Sequence, residues 1–184
     1  LSAEAAAEAE SWVLPPVEVS RGDAEAALAA APHRLLGEVK LGGQEHFYLE
    51  GQIACAIPKD DNTMHVLTST QHPTEMQHMV AHALGWRVHQ VTSECRRMGG
   101  GFGGKESQSA QIACVAAVLA LRTGCPVKLR LDRDDDMRIT GKRHDFAVQY
   151  EAGFDAAGRI LGLKLLLASR CGFSTDLSGP VNDR

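Results

Sequence analysis

Arg97-Met98-Gly99-Gly100-Gly101-Phe102-Gly103-Gly104-Lys105-Glu106 is a loop almost without side chains, with glycine at five of the six positions from 99 to 104. Such a loop can adopt left-handed φ repeatedly and can bring its main-chain N–H groups close to a ligand. An extended run, Trp86 to Cys95, leads into it, and a small-residue stretch of helical character, Ser107 to Thr123, leads out. A glycine loop that feeds a helix N-terminus is suited to holding an anion. The residue that closes it, Glu106, is itself an acid, and any assignment has to explain why.

Two phosphate-binding patterns fit in part. Gly99-x-x-x-x-Gly104-Lys105 matches a P-loop as far as the lysine. A Ser or Thr should follow to hold Mg²⁺, and Glu106 would instead set a negative charge beside the phosphates. Gly99-x-Gly101-x-x-Gly104 matches a dinucleotide fingerprint, which needs a buried parallel strand before it and an acid about 20 residues on. Here the preceding run is polar and the nearest strand-end acid, Asp132, comes too late. A glycine turn that serves packing alone is the plain alternative.

Outward from the loop, Leu35 to Leu41, His46 to Ile57 and Met64 to Ser69 read as strands, with Lys59-Asp60-Asp61-Asn62 as a turn. Pro73 to Leu84 places Met76, Met79, Val80 and Leu84 at helical spacing, with Pro73 in its first turn and Gly85 at its C-terminus. Val127 to Leu131 is a strand and Asp132 to Asp136 an acidic turn. Phe146 to Gly153 and Ile160 to Ser169 form a hairpin. Asp23 to Ala31 is a short helix capped by Asp23. Leu1 to Glu10 fits a helix or a linker, and Gly172 to Arg184 reads as loop. Strands and helices mix without regular alternation, which predicts an α+β fold with a mixed sheet and a few helices. The expected division is a leading segment over 1–33 and a domain over 34–184.

The 184 residues carry a net charge of −4 and are 44% hydrophobic, enough for one substantial core or two small ones. Aromatics make up 5%, so that core must rest on Ala, Val, Leu and Ile. The charge balance gives no reason to expect nucleic acid or an anionic membrane as a partner, and no apolar run is long enough to span a bilayer. Cys55, Cys95, Cys114, Cys125 and Cys171 contain no C-x-x-C pair and read as reduced, buried thiols of a cytosolic protein. His78 and His82 have the spacing of a helical zinc pair, but Met79 stands where that motif needs glutamate. With His72 they read as exposed or capping residues. Arg133, Asp134, Asp135, Asp136 and Arg143 read as a solvated, salt-linked turn.

The whole loop, Arg97 to Glu106, resembles the signature loop of the xanthine dehydrogenase group of molybdenum hydroxylases. So do Gly43-Gln44-Glu45-His46-Phe47-Tyr48-Leu49-Glu50, Ser69-Thr70-Gln71, Leu131 to Met137, Ile139 to His144 and Asp176-Leu177-Ser178, in family order from about residue 34 onward. The resemblance implies a molybdenum–molybdopterin cofactor held through the pterin dithiolene, with no protein ligand to the metal. It implies purine hydroxylation, hypoxanthine or xanthine to urate, by attack of a metal-bound oxygen on carbon with hydride passing to a sulfido group. Gln71 matches a hydrogen-bond donor to the molybdenum centre, and Phe102 and Gly103 match residues whose backbone lies against it. Glu106 matches the acid that grips the purine edge, and Arg184 an arginine that faces it.

The same resemblance implies [2Fe-2S] clusters, FAD and NAD in the intact enzyme, carried by partner domains or a partner subunit, in an oligomer. The family's essential base, a glutamate, is expected beyond residue 184, so the chain reads as an incomplete molybdopterin-binding domain, inactive alone. Gln44, Glu45 and His46 are expected to be structural. The alternatives are an aldehyde or other N-heterocycle oxidase of the same family, and a non-catalytic scaffold module.

Overall fold

The computed structural model describes residues 11–183; the Ala/Glu-rich stretch 1–10 and Arg184 lie outside the described residues. The fold is α+β and divides into two compact units, one of residues 11–44 and 144–183, the other Glu45–Arg143.

The first unit is a three-stranded antiparallel sheet, order β1-β6-β7, built from β1 (His33–Leu41), β6 (Asp145–Phe154) and β7 (Ile160–Arg170). Helix α1 (Ala24–Ala30) begins where Asp23 accepts the Ala26 N–H at 2.9 Å. It lies over the paired glycines Gly153 and Gly162. A Cβ at Gly153 would come within 2.7 Å of Ala31 Cβ, so only glycine there lets the helix and its buried Leu28 settle on the sheet. Residues directly paired across antiparallel strands share a face. Leu35, Ala152 and Leu163 therefore lie in line, as do Gly37, Tyr150 and Leu165, then Val39, Val148 and Leu167. These three rows carry no charged side chain, and their leucines are exposed. The opposite face, which carries α1, holds the Arg34–Glu151 ion pair and the Gln149–Glu38 hydrogen bond.

The second unit has a four-stranded sheet, order β4-β3-β2-β5: β2 (Ile53–Pro58), β3 (Met64–Thr68), β4 (Val91–Glu94) and β5 (Val127–Arg130). Helices α2 (Pro73–Leu84) and α3 (Ser109–Thr123) complete its core. With few aromatics available, α3 buries a ridge of alanines, Ala110, Ala113, Ala117 and Ala120, and β2 contributes Ala54 and Ala56. Small residues on both sides allow close helix–sheet contact. Gly85 (φ 69) and Gly124 (φ 65) end the two helices in the left-handed conformation, as their positions in the sequence predict.

Strand directions bring four segments to one end of this sheet. β3 and β4 are parallel, so both run out at that end. β2 is antiparallel to β3 and to β5, so β2 begins there and β5 finishes there. Residues 46–52, 69–71, 95–108 and 131–140 converge as a result.

Several expectations need correction. The strand expected over His46 to Ile57 exists only from Ile53, because Phe47 takes φ 52 and Glu50 N–H bonds the Gly99 carbonyl (3.1 Å) instead of a neighbouring strand. The run Trp86 to Cys95 includes a 3₁₀ turn, Val88–Gln90, before β4. The acidic turn at Asp132 to Asp136 is instead helix α4 (Arg133–Ile139), capped by Asp132 with three acids in its first turn, where the helix dipole favours them. The terminal loop contains a short helix, α5 (Ser178–Asn182). The cysteines are free, but none is fully buried and Cys125 is exposed. No described helix is long and apolar enough to cross a membrane.

Candidate functional site

Gln71 follows β3 by three residues, and the glycine loop arches over it. Its side-chain oxygen Oε1 accepts the N–H of Gly103 at 2.9 Å and that of Lys105 at 3.2 Å, while its own main-chain N–H donates to the Lys105 carbonyl at 2.8 Å. Two N–H donors facing one end of the amide fix which atom is oxygen. The NH₂ end is thereby directed elsewhere, and it has no acceptor among the described residues. Gly101 packs against the same side chain: a Cβ there would stand 2.6 Å from Oε1.

The loop is held at both ends by Glu50. Its Oε2 accepts the Gly99 N–H at 3.0 Å and the Ser69 hydroxyl, and stands 3.1 Å from Lys105 Nζ. Burial pushes the Glu50 carboxyl upward, but the donors Ser69, Gly99 and Lys105 together outweigh it and hold the group below its usual range. Lys105 is 0% exposed. Its ammonium also donates to Ser69 Oγ (2.8 Å) and lies 4.7 Å from the Tyr48 ring centroid. Its carbonyl accepts from Thr70 Oγ1 (2.9 Å) and Ser109 Oγ (3.3 Å).

Beneath the loop lies a second network. Tyr48 Oη donates to Asp136 Oδ1 at 2.6 Å, and Gln52 Nε2 donates to Tyr48 Oη and to the Gly104 carbonyl, both at 3.0 Å. Asp136, only 1% exposed, also takes the Gln52 N–H at 2.8 Å. Burial, and the hydrogen bond to Asp136, raise the Tyr48 hydroxyl to about 12. Arg133 reaches back to the carbonyls of Tyr48 (2.8 Å) and Leu49 (2.9 Å). The expected solvated turn is therefore, at Arg133 and Asp136, a tie to the site. His46 stacks on Tyr48 beneath Gly104, and Glu45 pairs with Lys142 at 2.9 Å. Burial holds the His46 imidazole below its usual range, with Glu45 opposing and Arg143 and Lys142 adding.

Of the residues singled out from the sequence, Gln71, Phe102 and Gly103 come together. Phe102 sits at the loop tip with φ 56 and is 71% exposed. Its N–H has no partner among the described residues, whereas that of Gly103 is engaged by Gln71. Glu106, half-buried, follows Lys105 directly and makes no hydrogen bond or ion pair with a described residue. Arg184 lies outside the described residues. Two surface hollows, of about 380 and 250 Å³, are lined by residues around Trp86 and include none of these side chains. Among the described residues no group of three or more His, Cys, Asp or Glu is arranged to hold a metal ion. The groups presented at the tip are neutral N–H donors, a set that suits oxygen atoms of a bound group and not a bare cation.

Lys105 and Asp136 support the site although no sequence motif assigns them that part. A lysine between five glycines and an alanine-rich helix is a signal for the first. Residues 7–184 match the molybdopterin cofactor-binding domain.

The chain belongs to the molybdopterin cofactor-binding domain family.

Within it, the chain is 44% identical over 169 residues to xanthine dehydrogenase of Drosophila pseudoobscura pseudoobscura, an alignment covering 92% of this chain and 13% of that protein. It is 42% identical to xanthine dehydrogenase/oxidase of Gallus gallus (97% and 13%) and 45% identical to aldehyde oxidase 2 of Cavia porcellus (84% and 12%). These relatives are oxidoreductases, and the chain spans 12–13% of their length. Among solved structures it is similar to aldehyde oxidoreductase from Desulfovibrio gigas, with TM-score 0.68 and 25% identity over 80% of this chain and 16% of that one. Its fold is also similar to that of quinoline 2-oxidoreductase from Pseudomonas putida 86 (TM-score 0.68, 22% identity, 80% and 19%).

Proposed function

We propose that the tip of the glycine loop and Gln71 form the protein's contact with a molybdenum–molybdopterin group, and that the full-length protein hydroxylates a purine, taking hypoxanthine or xanthine to urate. The observation that carries this is the seating of Gln71: with its oxygen held by two loop amides, its NH₂ is a fixed, neutral donor beside the exposed tip. When bound, the cofactor supplies a two-electron redox centre that accepts electrons from the substrate ring.

Gln71 donates to an oxygen of that group without titrating. Phe102 offers its N–H as a second fixed donor, and Gly103 holds Gln71 while leaving the approach clear. Glu106 binds the N–H edge of the purine and moves a proton at a ring nitrogen. Arg184, with its rigid set of donors, stabilises negative charge that builds on the ring. In the intact protein, a cytosolic, oligomeric enzyme of purine catabolism, partner domains or a partner subunit would hold [2Fe-2S] clusters, FAD and NAD, which would supply the onward electron path.

The 45% identity to an aldehyde oxidase favours a second reading, oxidation of an aldehyde or another N-heterocycle at the same centre. Glu106→Val in the full-length protein separates the two. Purine hydroxylation requires kcat/KM for xanthine to fall by roughly 10²-fold or more while a small aldehyde is spared. Unchanged xanthine kinetics would overturn the role of Glu106.

A further inference from the structure

The geometry points to the Glu50–Lys105 pair as a positioning device that clamps the two ends of the glycine loop and so sets where the Gln71 amide points. This rests on the role proposed for Gln71 above. A lysine with no exposure loses its hydration, and a well-packed apolar residue would stabilise the core as well or better. What an apolar residue cannot do is bind a carboxylate that also binds the far end of the same loop. Glu50 Oε2 takes Gly99 N–H at the loop's start and Lys105 Nζ at its end. Ser69, two residues before Gln71, bonds both partners of the pair. Between these anchors Gly100, Phe102 and Gly103 all hold positive φ, a path that needs fixed ends to persist. The Lys105 main chain then contacts Gln71 twice, through its N–H to Oε1 and its carbonyl to the Gln71 N–H. Glu50 and Lys105 therefore act through Gln71 and Gly103.

The test uses the full-length protein, with and without its cofactor. Glu50→Gln combined with Lys105→Met removes both charges at once, so no unpaired ion is left buried. Hydrogen exchange is read at the amides of residues 103 and 105, and turnover is compared in a cycle with Gln71→Ala. The clamp requires exchange at these amides to rise about tenfold or more in cofactor-free protein whose unfolding temperature is retained. It also requires kcat to drop with little change in KM, and no further drop when Gln71→Ala is added. Wild-type protection in the double variant, or losses that add to those of Gln71→Ala, would overturn it. If the double variant does not fold, Ser69→Ala is measured instead: faster exchange at residue 103 supports the clamp, and unchanged exchange overturns it. Unchanged kcat/KM in Gln71→Ala alone would contradict the role of Gln71 and leave the exchange result to decide the clamp.

Discussion

Tyr48 and Asp136, 88 positions apart in sequence, meet in a 2.6 Å hydrogen bond directly beneath the glycine loop. Asp136 also receives the Gln52 N–H, and Gln52 in turn holds the Gly104 carbonyl. Asp136→Ala strands a buried hydroxyl and a buried amide and is expected to cost about 3 kcal/mol, whereas Tyr48→Phe costs about 1 kcal/mol. Unfolding in denaturant measures both; equal and negligible effects would show that the network carries no stability.

Tyr48 also predicts an alkaline limit. Its hydroxyl is raised from 10.0 to about 12, so the folded state favours the neutral form. The stability this contributes is present in full below pH 10 and is lost as pH rises through about 12. The Tyr48→Phe protein should lose this steepening between pH 10 and 12, as followed by circular dichroism.

Glu50 predicts the opposite limit. Its carboxyl is held below the ordinary value of 4.5, so its contribution is present above that pH and fades as pH falls through the lower folded value. Amides at residues 99 and 103 should lose protection in acid before the core strands do. Simultaneous loss in every element would contradict a separate role for Glu50.

Gly104 in the loop and Gly124 at the end of α3 are required for different reasons. At Gly104 a Cβ would stand 2.7 Å from His46 Cγ and 2.8 Å from Tyr48 Cε1, so Gly104→Ala forces packed rings apart at about 1–3 kcal/mol. Gly124→Ala meets open space and costs only the left-handed φ, about 1 kcal/mol. Thermal unfolding should rank them in that order.

The uncovered face of the β1-β6-β7 sheet lines up Leu35, Val39, Leu163, Leu165 and Leu167 without a charge. Such a patch is an aggregation liability in water. The 184-residue chain expressed alone should associate with rising concentration, and Leu165→Lys with Leu167→Lys should suppress this in light scattering. No change on substitution would place the association elsewhere.

Local signals made much of this legible in the sequence. Pro73 and Gly85 bound α2 as predicted, and the turn at Asp155 to Gly158 lies between β6 and β7. The convergence of Gln71 with Gly103 was legible through motifs. The misreadings share one cause, the pull of distant partners. The extended-looking run from His46 onward reads as a strand, but Tyr48 and Glu50 are bound to Asp136 and the glycine loop, not to a neighbouring strand. The acids after Asp132 read as solvent-facing because nothing nearby reveals that Asp136 turns inward to residues 48 and 52. Lys105 stood out only as a failed P-loop lysine, since its partners Glu50 and Ser69 are far from it in sequence.

The fixed amide of Gln71 is proposed to donate to the molybdenum–pterin group. A crystal structure of the cofactor-loaded full-length protein tests it most directly. The expected result places Gln71 Nε2 about 3 Å from an oxygen of that group, with Oε1 still on Gly103 N–H. An amide turned away, or a cofactor bound elsewhere than the tip formed by Phe102 and Gly103, would contradict it.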